Sequence, residues 1–170
     1  LRTPLNSILG FTQVLEKLNN GYRPNQLDDV PGVVFWKNEE RHVNPPGPLI
    51  EPLDDIPFPD RDLFGAPEAL RGGRLSLISS RGCPFDCPFC SSTRHWRKLR
   101  SHSADYLVRE LEHVIERYEP AHIVYEDDLF IADRPRLRAV ADAIRRRGLH
   151  HRVAFHVSGR ANLLTDESIR

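Results

Sequence analysis

Apolar residues recur along this chain with two different periods, and the switch between them divides it into segments. Leu5, Ile8, Leu9, Val14, Leu15 and Leu18 repeat at helical spacing. Residues 1–20 are therefore predicted to form an amphipathic helix, with Thr3 as its cap, Pro4 at the first helical position and Asn19-Asn20-Gly21 as its stop. Between Asp28 and Val43 the pattern becomes that of a short β-hairpin: Val33-Val34-Phe35-Trp36 is rich in β-formers, Asn38-Glu39-Glu40 turns, and Arg41-His42-Val43 returns. Pro45, Pro46, Pro48, Pro52, Pro57, Pro59 and Pro67 then make up half of the chain's 14 prolines. That density predicts an extended, semi-rigid connector, in which Asp54-Asp55 and Asp60-Arg61-Asp62 are solvated or turn-capping charges.

From Arg74 onward short apolar strands alternate with amphipathic helices. Leu75-Ser76-Leu77-Ile78-Ser79 reads as a first strand, and a helix from 103 to 118 presents Leu107, Leu111, Val114, Ile115 and Tyr118 on one face before Pro120. His122-Ile123-Val124-Tyr125 is a second strand. Asp133 caps the next helix, Pro135 sits in its first turn, Leu137, Val140, Ala141 and Ile144 form its buried stripe, and Gly148 ends it. Val153-Ala154-Phe155-His156-Val157 is a third strand. Repeats of this kind imply crossover connections and a parallel sheet, so the fold class is α/β. Three regions follow: a terminal helix or junction segment at 1–20, a hairpin and Pro-rich linker at 21–73, and a strand–helix domain at 74–170. The run from Thr165 to Arg170 reads as a helix cut off in its first turn, with Thr165 as cap, and there is no Met anywhere, so the chain reads as a fragment.

Composition narrows the function classes. With 39% hydrophobic and 28% charged residues the chain is globular rather than disordered. Lys and Arg number 24 and so do Asp and Glu, so no global charge draws the chain to nucleic acid or anionic lipid, and neither partner is expected. No apolar run approaches the roughly 18 to 20 residues that cross a bilayer, and no signal-peptide pattern appears. Three cysteines in one tight cluster argue against a disulfide scaffold and for a reducing compartment, so the expected location is the cytoplasm.

All three lie in Cys83-Pro84-Phe85-Asp86-Cys87-Pro88-Phe89-Cys90. Thiolates are soft ligands suited to iron–sulfur clusters and to zinc, and at this spacing they can curl round one metal centre. A cubane cluster has four iron corners, so three cysteines fix it and leave one iron for an outside ligand. A structural zinc takes four protein ligands, and His95 is the nearby candidate for the fourth. Gly82, immediately before the run, allows a tight backbone turn there. Arg94, His95, Arg97, Lys98 and Arg100, with Trp96 among them, read as a substrate-entry or phosphate-contacting loop or a solvated face. His102, His113, His122, His150, His151 and His156 show no ligand spacing with one another.

In this cysteine run, with Phe89 just before the third cysteine, the chain resembles the radical S-adenosylmethionine (radical SAM) superfamily. The resemblance implies the first three strand–helix units of a partial (β/α)6 TIM-like barrel, preceded by the Pro-rich linker and the short N-terminal helix. It implies that Cys83, Cys87 and Cys90 hold a [4Fe-4S] cluster and that S-adenosyl-L-methionine chelates the fourth iron through its amino and carboxylate groups, with Phe89 near the adenine. Electron transfer into the sulfonium then releases a 5′-deoxyadenosyl radical. A small-molecule substrate and a reductant such as flavodoxin or ferredoxin are implied with it.

Reactive groups of parallel α/β barrels gather at the carboxyl ends of the strands, where Glu126-Asp127-Asp128-Leu129-Phe130 and Ser158-Gly159-Arg160 also fall. The acidic run stands where radical SAM enzymes carry a Gly-Gly-Glu segment for the SAM amino group. Here the glycines are missing, and a carboxylate from Glu126 or Asp127 is the candidate acceptor, against solvated acids at a helix start. Arg160 is a candidate for the SAM carboxylate or a substrate acid, or is structural.

Two further likenesses concern the flanks. Pro31-Gly32-Val33-Val34 and Ile56-Pro57-Phe58-Pro59-Asp60-Arg61-Asp62 resemble the linker between the cobalamin-binding domain and the barrel in B12-dependent radical SAM enzymes, and Asp127 and Asp128 match the Y/F-x-D-D-x-F run of that branch. This implies cobalamin bound by an upstream domain, since D-x-H-x-x-G does not occur in the chain, and methyl transfer or ring rearrangement as the reaction; the fragment alone is expected to be inactive. Residues 1–18 resemble the phosphoacceptor helix of sensor histidine kinases, without the phosphorylated His. The rival functions are accordingly a Cys3His zinc-binding interaction module and a histidine-kinase-type signalling fragment.

Overall fold

A computed structural model of the chain describes residues 4–65, 67–96 and 98–165. The chain divides into two compact units, Leu1–Ile50 and Glu51–Arg170. In the first, helix α1 (Pro4–Asn19) forms where the apolar spacing predicts it, while its cap Thr3 lies outside the described residues. Strands β1 (Val34–Lys37) and β2 (Glu40–Val43) pair antiparallel, Val34 opposite Val43. The turn between them holds Asn38 and Glu39 at φ of 51° and 65°, the left-handed geometry whose twist matches a two-residue hairpin. Leu27, Val30 and Phe35 form this unit's small core, and the buried Asn44 amide donates to the Leu27 and Val30 carbonyls at 2.6 and 2.7 Å.

The second unit is built on a parallel sheet. Strand β3 (Arg74–Leu77) leads to a short strand β4 (Ser80–Arg81), helix α2 (Ser92–Trp96) and a short strand β5 (Arg100–Ser101). Helix α3 (Ala104–Tyr118), strand β6 (His122–Tyr125), helix α4 (Arg134–Arg146) and strand β7 (Ala154–His156) follow. The sheet order is β3-β6-β7, all parallel, with Leu75 beside Ile123 and Ile123 beside Phe155. Each crossover carries a helix, as parallel pairing requires. Side chains alternate along β3 and β6: Leu75, Leu77, Ile123 and Tyr125 are buried, while Arg74, Ser76, His122 and Val124 occupy the more open face. Helix α3 covers the buried face with Leu107, Leu111, Val114, Ile115 and Tyr118, the stripe the sequence predicts, and begins with Ser103 accepting from the Tyr106 amide. Helix α4 starts on the Asp133 cap with Pro135 in its first turn, and Gly148 beyond its end takes the left-handed conformation.

The proline tract is less of a free connector than its composition predicts. From Glu51 on it belongs to the second unit, and short 3-10 turns press it onto α3. Leu53 is buried, the Tyr106 hydroxyl donates to the Ile56 carbonyl at 2.9 Å, and Phe58 meets the Tyr106 ring edge-on. Asp60 does cap a turn, accepting from the Asp62 amide. Arg61 is not solvated, because it pairs at 3.1 Å with Glu110, which is 3% exposed on the apolar face of α3. A lone carboxylate there would carry a large desolvation penalty, and the guanidinium offsets it.

Asp54 accepts from the Ser103 amide at 2.9 Å and faces the buried His102 ring, whose Nδ1 lies 3.3 Å away. Burial, opposed by Asp54, holds the His102 pKa below its ordinary value of 6.5. As pH falls through that value the unfolded chain takes up a proton that the folded chain refuses, so stability is lost on acidification. A urea midpoint lower at about pH 5.5 than at about pH 7.5, with the gap narrowed by His102→Gln, is the expected outcome.

Candidate metal centre

The cysteine run sits on a loop whose neck is closed by a two-residue strand pair. After β3 ends at Leu77 the chain turns inward at Ser79 and Ser80, and β4 pairs antiparallel with β5, Ser80 opposite Ser101 and Arg81 opposite Arg100. Gly82 follows with φ of 93°, and a Cβ placed there would lie 2.7 Å from the Lys98 carbonyl oxygen and 3.0 Å from the Trp96 Cβ. The two limbs of the loop therefore touch backbone to backbone at the one residue that has no side chain. Gly82→Ala is expected to open the neck, read as faster proteolysis within the loop while the far-ultraviolet spectrum is kept. The positive φ alone costs roughly 1–3 kcal/mol, and Lys98 must also move.

The acidic run beyond β6 secures the loop at both ends. Asp127, 6% exposed, accepts from the Ser79 amide at 2.6 Å, from the Ser79 hydroxyl, and from the Ser80 hydroxyl at 2.7 Å. Asp128 accepts from the Ser92 hydroxyl at 2.6 Å, and the Ser92 amide in turn points at the Cys90 sulfur at 3.5 Å. Consecutive aspartates thus hold the segment before the first cysteine and the residue two beyond the last. Arg136 of α4 adds a bridge across the neck, donating to the Ser79 and His102 carbonyls at 2.9 and 2.8 Å. Burial pushes its pKa down, and the Asp127 carboxylate is the largest opposing influence.

Within the loop, Cys83 and Phe85 pack against the main core, Cys87 is half-buried, and Cys90 is exposed. The Cys90 amide donates to the Cys87 carbonyl at 2.9 Å, which turns the Cys87–Cys90 segment back on itself. Arg160, on the loop after β7, donates from Nη1 to the Cys87 sulfur at 3.7 Å and lays its guanidinium 4.0 Å from the centre of the Phe85 ring. That loop is fixed in turn, because the Ser158 hydroxyl donates to the Asp127 carbonyl at 2.7 Å and the Phe130 amide to the Ser158 carbonyl at 3.2 Å. Phe89 is 90% exposed. Glu126 is exposed on the open face, accepting from the Ser76 hydroxyl at 3.0 Å.

Several residues stand differently from their sequence reading. Arg100 is no part of a solvated basic face: it is buried in the neck, and burial lowers its pKa. Arg81, opposite it, is lowered by burial first and by Arg100 second. Lys98 pairs with Glu51, the His95 ring packs edge-on against Trp96 at 4.6 Å, and Arg97 lies outside the described residues. His122 and His156, without ligand spacing in sequence, meet across β6 and β7 with Nδ1 and Nε2 3.0 Å apart. Sequence reasoning missed Ser79, Ser80, Ser92 and Arg136. Ser92 alone carried a signal, as a hydroxyl two positions beyond a cysteine, where its amide can reach the sulfur.

The family model for the radical SAM superfamily matches residues 77–169, more than half of the chain. The chain belongs to the radical SAM superfamily. It is 29% identical to an uncharacterized methyltransferase of Pyrococcus horikoshii over 94% of this chain and 34% of that protein. It is 31% identical to hopanoid C-3 methylase of Methylococcus capsulatus over 91% of this chain and 28% of that protein. The chain thus spans about a third of the length of these curated relatives. Its fold resembles that of OxsB, a cobalamin-dependent S-adenosylmethionine radical enzyme solved with aqua-cobalamin and S-adenosylmethionine bound; the TM-score is 0.65 at 21% identity, over 86% of this chain and 21% of that one. The likeness agrees with the parallel sheet and flanking helices read from the sequence. No described helix is long and apolar enough to cross a membrane.

Radical SAM membership implies a [4Fe-4S] cluster and S-adenosylmethionine, and the residues here fit the cluster. Three thiols share one loop, two of the sulfurs receive N–H donors from Ser92 and Arg160, and two arginines stand at the neck. N–H donors to sulfur of this kind are among the contacts by which a protein tunes a cluster held by thiolates. Among the described residues no three His, Cys, Asp or Glu side chains converge tightly enough to hold a single metal ion.

Proposed function

We propose that this protein cleaves S-adenosylmethionine reductively at a [4Fe-4S] cluster held by Cys83, Cys87 and Cys90, and uses the resulting radical in a B12-dependent reaction, methyl transfer or ring rearrangement. The observation that carries the reading is the fastened loop: three cysteines on a segment closed at its neck, tied at both ends to Asp127 and Asp128, at the carboxyl rim of a parallel sheet. The bound cluster would supply the electron that breaks the sulfonium bond, and the chain's own residues position the reactants.

Phe89, exposed beside the third cysteine, would cover the adenine. Glu126 would accept from the ammonium of the methionine moiety; what supports this is that its carboxylate is exposed and engaged by one serine hydroxyl. Asp127, with both oxygens engaged by serines, acts by holding the loop. Arg160 belongs to the Cys87 corner of the site. The names of the relatives support methyl transfer, and the fold likeness to a cobalamin-dependent enzyme supports cobalamin held by a domain upstream of Leu1. The substrate would be a small molecule, the reductant a flavodoxin or ferredoxin, and the location the cytoplasm.

Anaerobic reconstitution of the intact protein tests this reading. About four iron and four acid-labile sulfide per chain, a brown chromophore, and 5′-deoxyadenosine on addition of S-adenosylmethionine and reductant are expected. Zinc without sulfide would leave the interaction-module reading in its place.

A further inference from the structure

We infer that Arg160 acts on the cluster, donating an N–H to the Cys87 sulfur and raising the reduction potential, and not on the carboxylate of S-adenosylmethionine. The inference rests on the assignment of Cys87 as a cluster ligand. Its geometry involves two contacts of the guanidinium. The guanidinium carbon lies over the Phe85 ring, 4.0 Å from its centre, so the fork is held by an aromatic that is itself packed against the main core. From there Nη1 donates to the Cys87 sulfur at 3.7 Å, a length suited to a donor meeting the large sulfur atom.

The arm that delivers the guanidinium is held at Ser158, which donates to the Asp127 carbonyl and accepts from the Phe130 amide. Asp127 in turn holds the serines before the cysteine loop. Arg160 and the loop it touches are therefore referenced to the same residue, and the N–H···S contact does not depend on a mobile surface side chain.

Adding an electron to a cluster increases negative charge on its sulfurs. A fixed cation with an N–H aimed at one of them stabilises the reduced form more than the oxidised form, which raises the potential. A reductive cleavage needs a low potential, yet one that a cellular donor still reaches; a donor contact at one thiolate adjusts that balance without occupying the corner where the methionine moiety binds. Arg160 is in this sense a positioning and tuning residue that acts through Cys87.

The test compares wild type, Arg160→Gln and Arg160→Lys of the intact protein, each reconstituted anaerobically. Cluster content, SAM affinity and the midpoint potential by EPR-monitored redox titration are read for each. The glutamine variant keeps a donor but loses the charge and the fork. It is expected to hold the cluster, to bind S-adenosylmethionine within a few-fold of wild type, and to shift so that the reduced-to-oxidised ratio at a fixed potential falls about tenfold, which is about 59 mV for a one-electron couple. Lysine, which keeps the charge, should shift less. Should glutamine prevent cluster assembly, Phe85→Leu, which frees the guanidinium face, should move the potential the same way by a smaller amount.

Unchanged potentials in cluster-bearing variants overturn the inference and leave the cysteine assignment standing. Weakened SAM binding at unchanged potential overturns it in favour of the carboxylate role. A wild-type protein that takes up no cluster removes the cysteine assignment and this inference together.

Discussion

Replacing Cys83, Cys87 or Cys90 singly by alanine is expected to abolish the brown chromophore and to lower 5′-deoxyadenosine formation by the intact protein by more than about 100-fold, past the 10- to 100-fold typical of losing an outer-shell partner. The reasoning is one of coordination. Three thiolates leave a cubane one iron open for a guest; removing any of them opens a second iron to water and oxygen, and the loop supplies no substitute. The three positions should nevertheless differ in their effect on stability. Cys90 is exposed and Cys87 half-buried, whereas Cys83 packs against the main core, so alanine at 83 alone should also cost about 1 kcal/mol of core packing. Iron and sulfide analysis beside a urea titration separates the two effects. A Cys90→Ala protein that keeps its full cluster and its full rate of SAM cleavage would contradict the assignment.

The elements that carry the site were legible because their signals are local. Helix α3 announces itself by five apolar residues on one face with Ser103 before them, and α4 by Asp133, Pro135 and Gly148 at its ends. The cysteine spacing is likewise written within eight positions. What stayed hidden depends on residues far apart in the chain. Strands β4 and β5 are two residues long and carry no alternation, so only their mutual pairing reveals them. Arg100 looks like one more cation in a basic run, yet its position opposite Arg81 puts it inside the neck. Arg61 and Glu110 are separated by 49 positions, and neither shows in sequence that the other will offset its burial. The contact of Arg160 with Cys87 spans 73 positions.

Asp127 shows the same limit in a single side chain. An acid at the end of a strand reads equally as a ligand contact or a solvated cap, because both call for a carboxylate near a loop. Burial excludes the solvated cap, and burial depends on Ser79 and Ser80 arriving from β3, almost fifty positions earlier. The two aspartates also differ in consequence although they are neighbours, since successive residues leave a strand on opposite sides. Asp127 goes inward to the neck, and Asp128 remains exposed while reaching Ser92.

This difference leads to the second large effect. Asp127→Asn is expected to destabilise the barrel unit by roughly 3 kcal/mol, since a single amide oxygen replaces two charged acceptors and the amide's own N–H groups confront serine donors in a buried place. The neck should then open, with cluster content falling to a small fraction of wild type and the loop becoming accessible to protease. Asp128→Asn keeps one acceptor for the Ser92 hydroxyl at an exposed position and should cost about 1 kcal/mol or less, with most of the cluster retained. Urea titrations and iron counts on the two variants provide the comparison. If Asp127→Asn instead kept its stability and its cluster and lost only affinity for S-adenosylmethionine, the carboxylate would be serving the ammonium of that cofactor. The serine contacts of Asp127 would then be incidental, and the fastening of the loop would have to reside in Asp128, Arg136 and the β4–β5 pair.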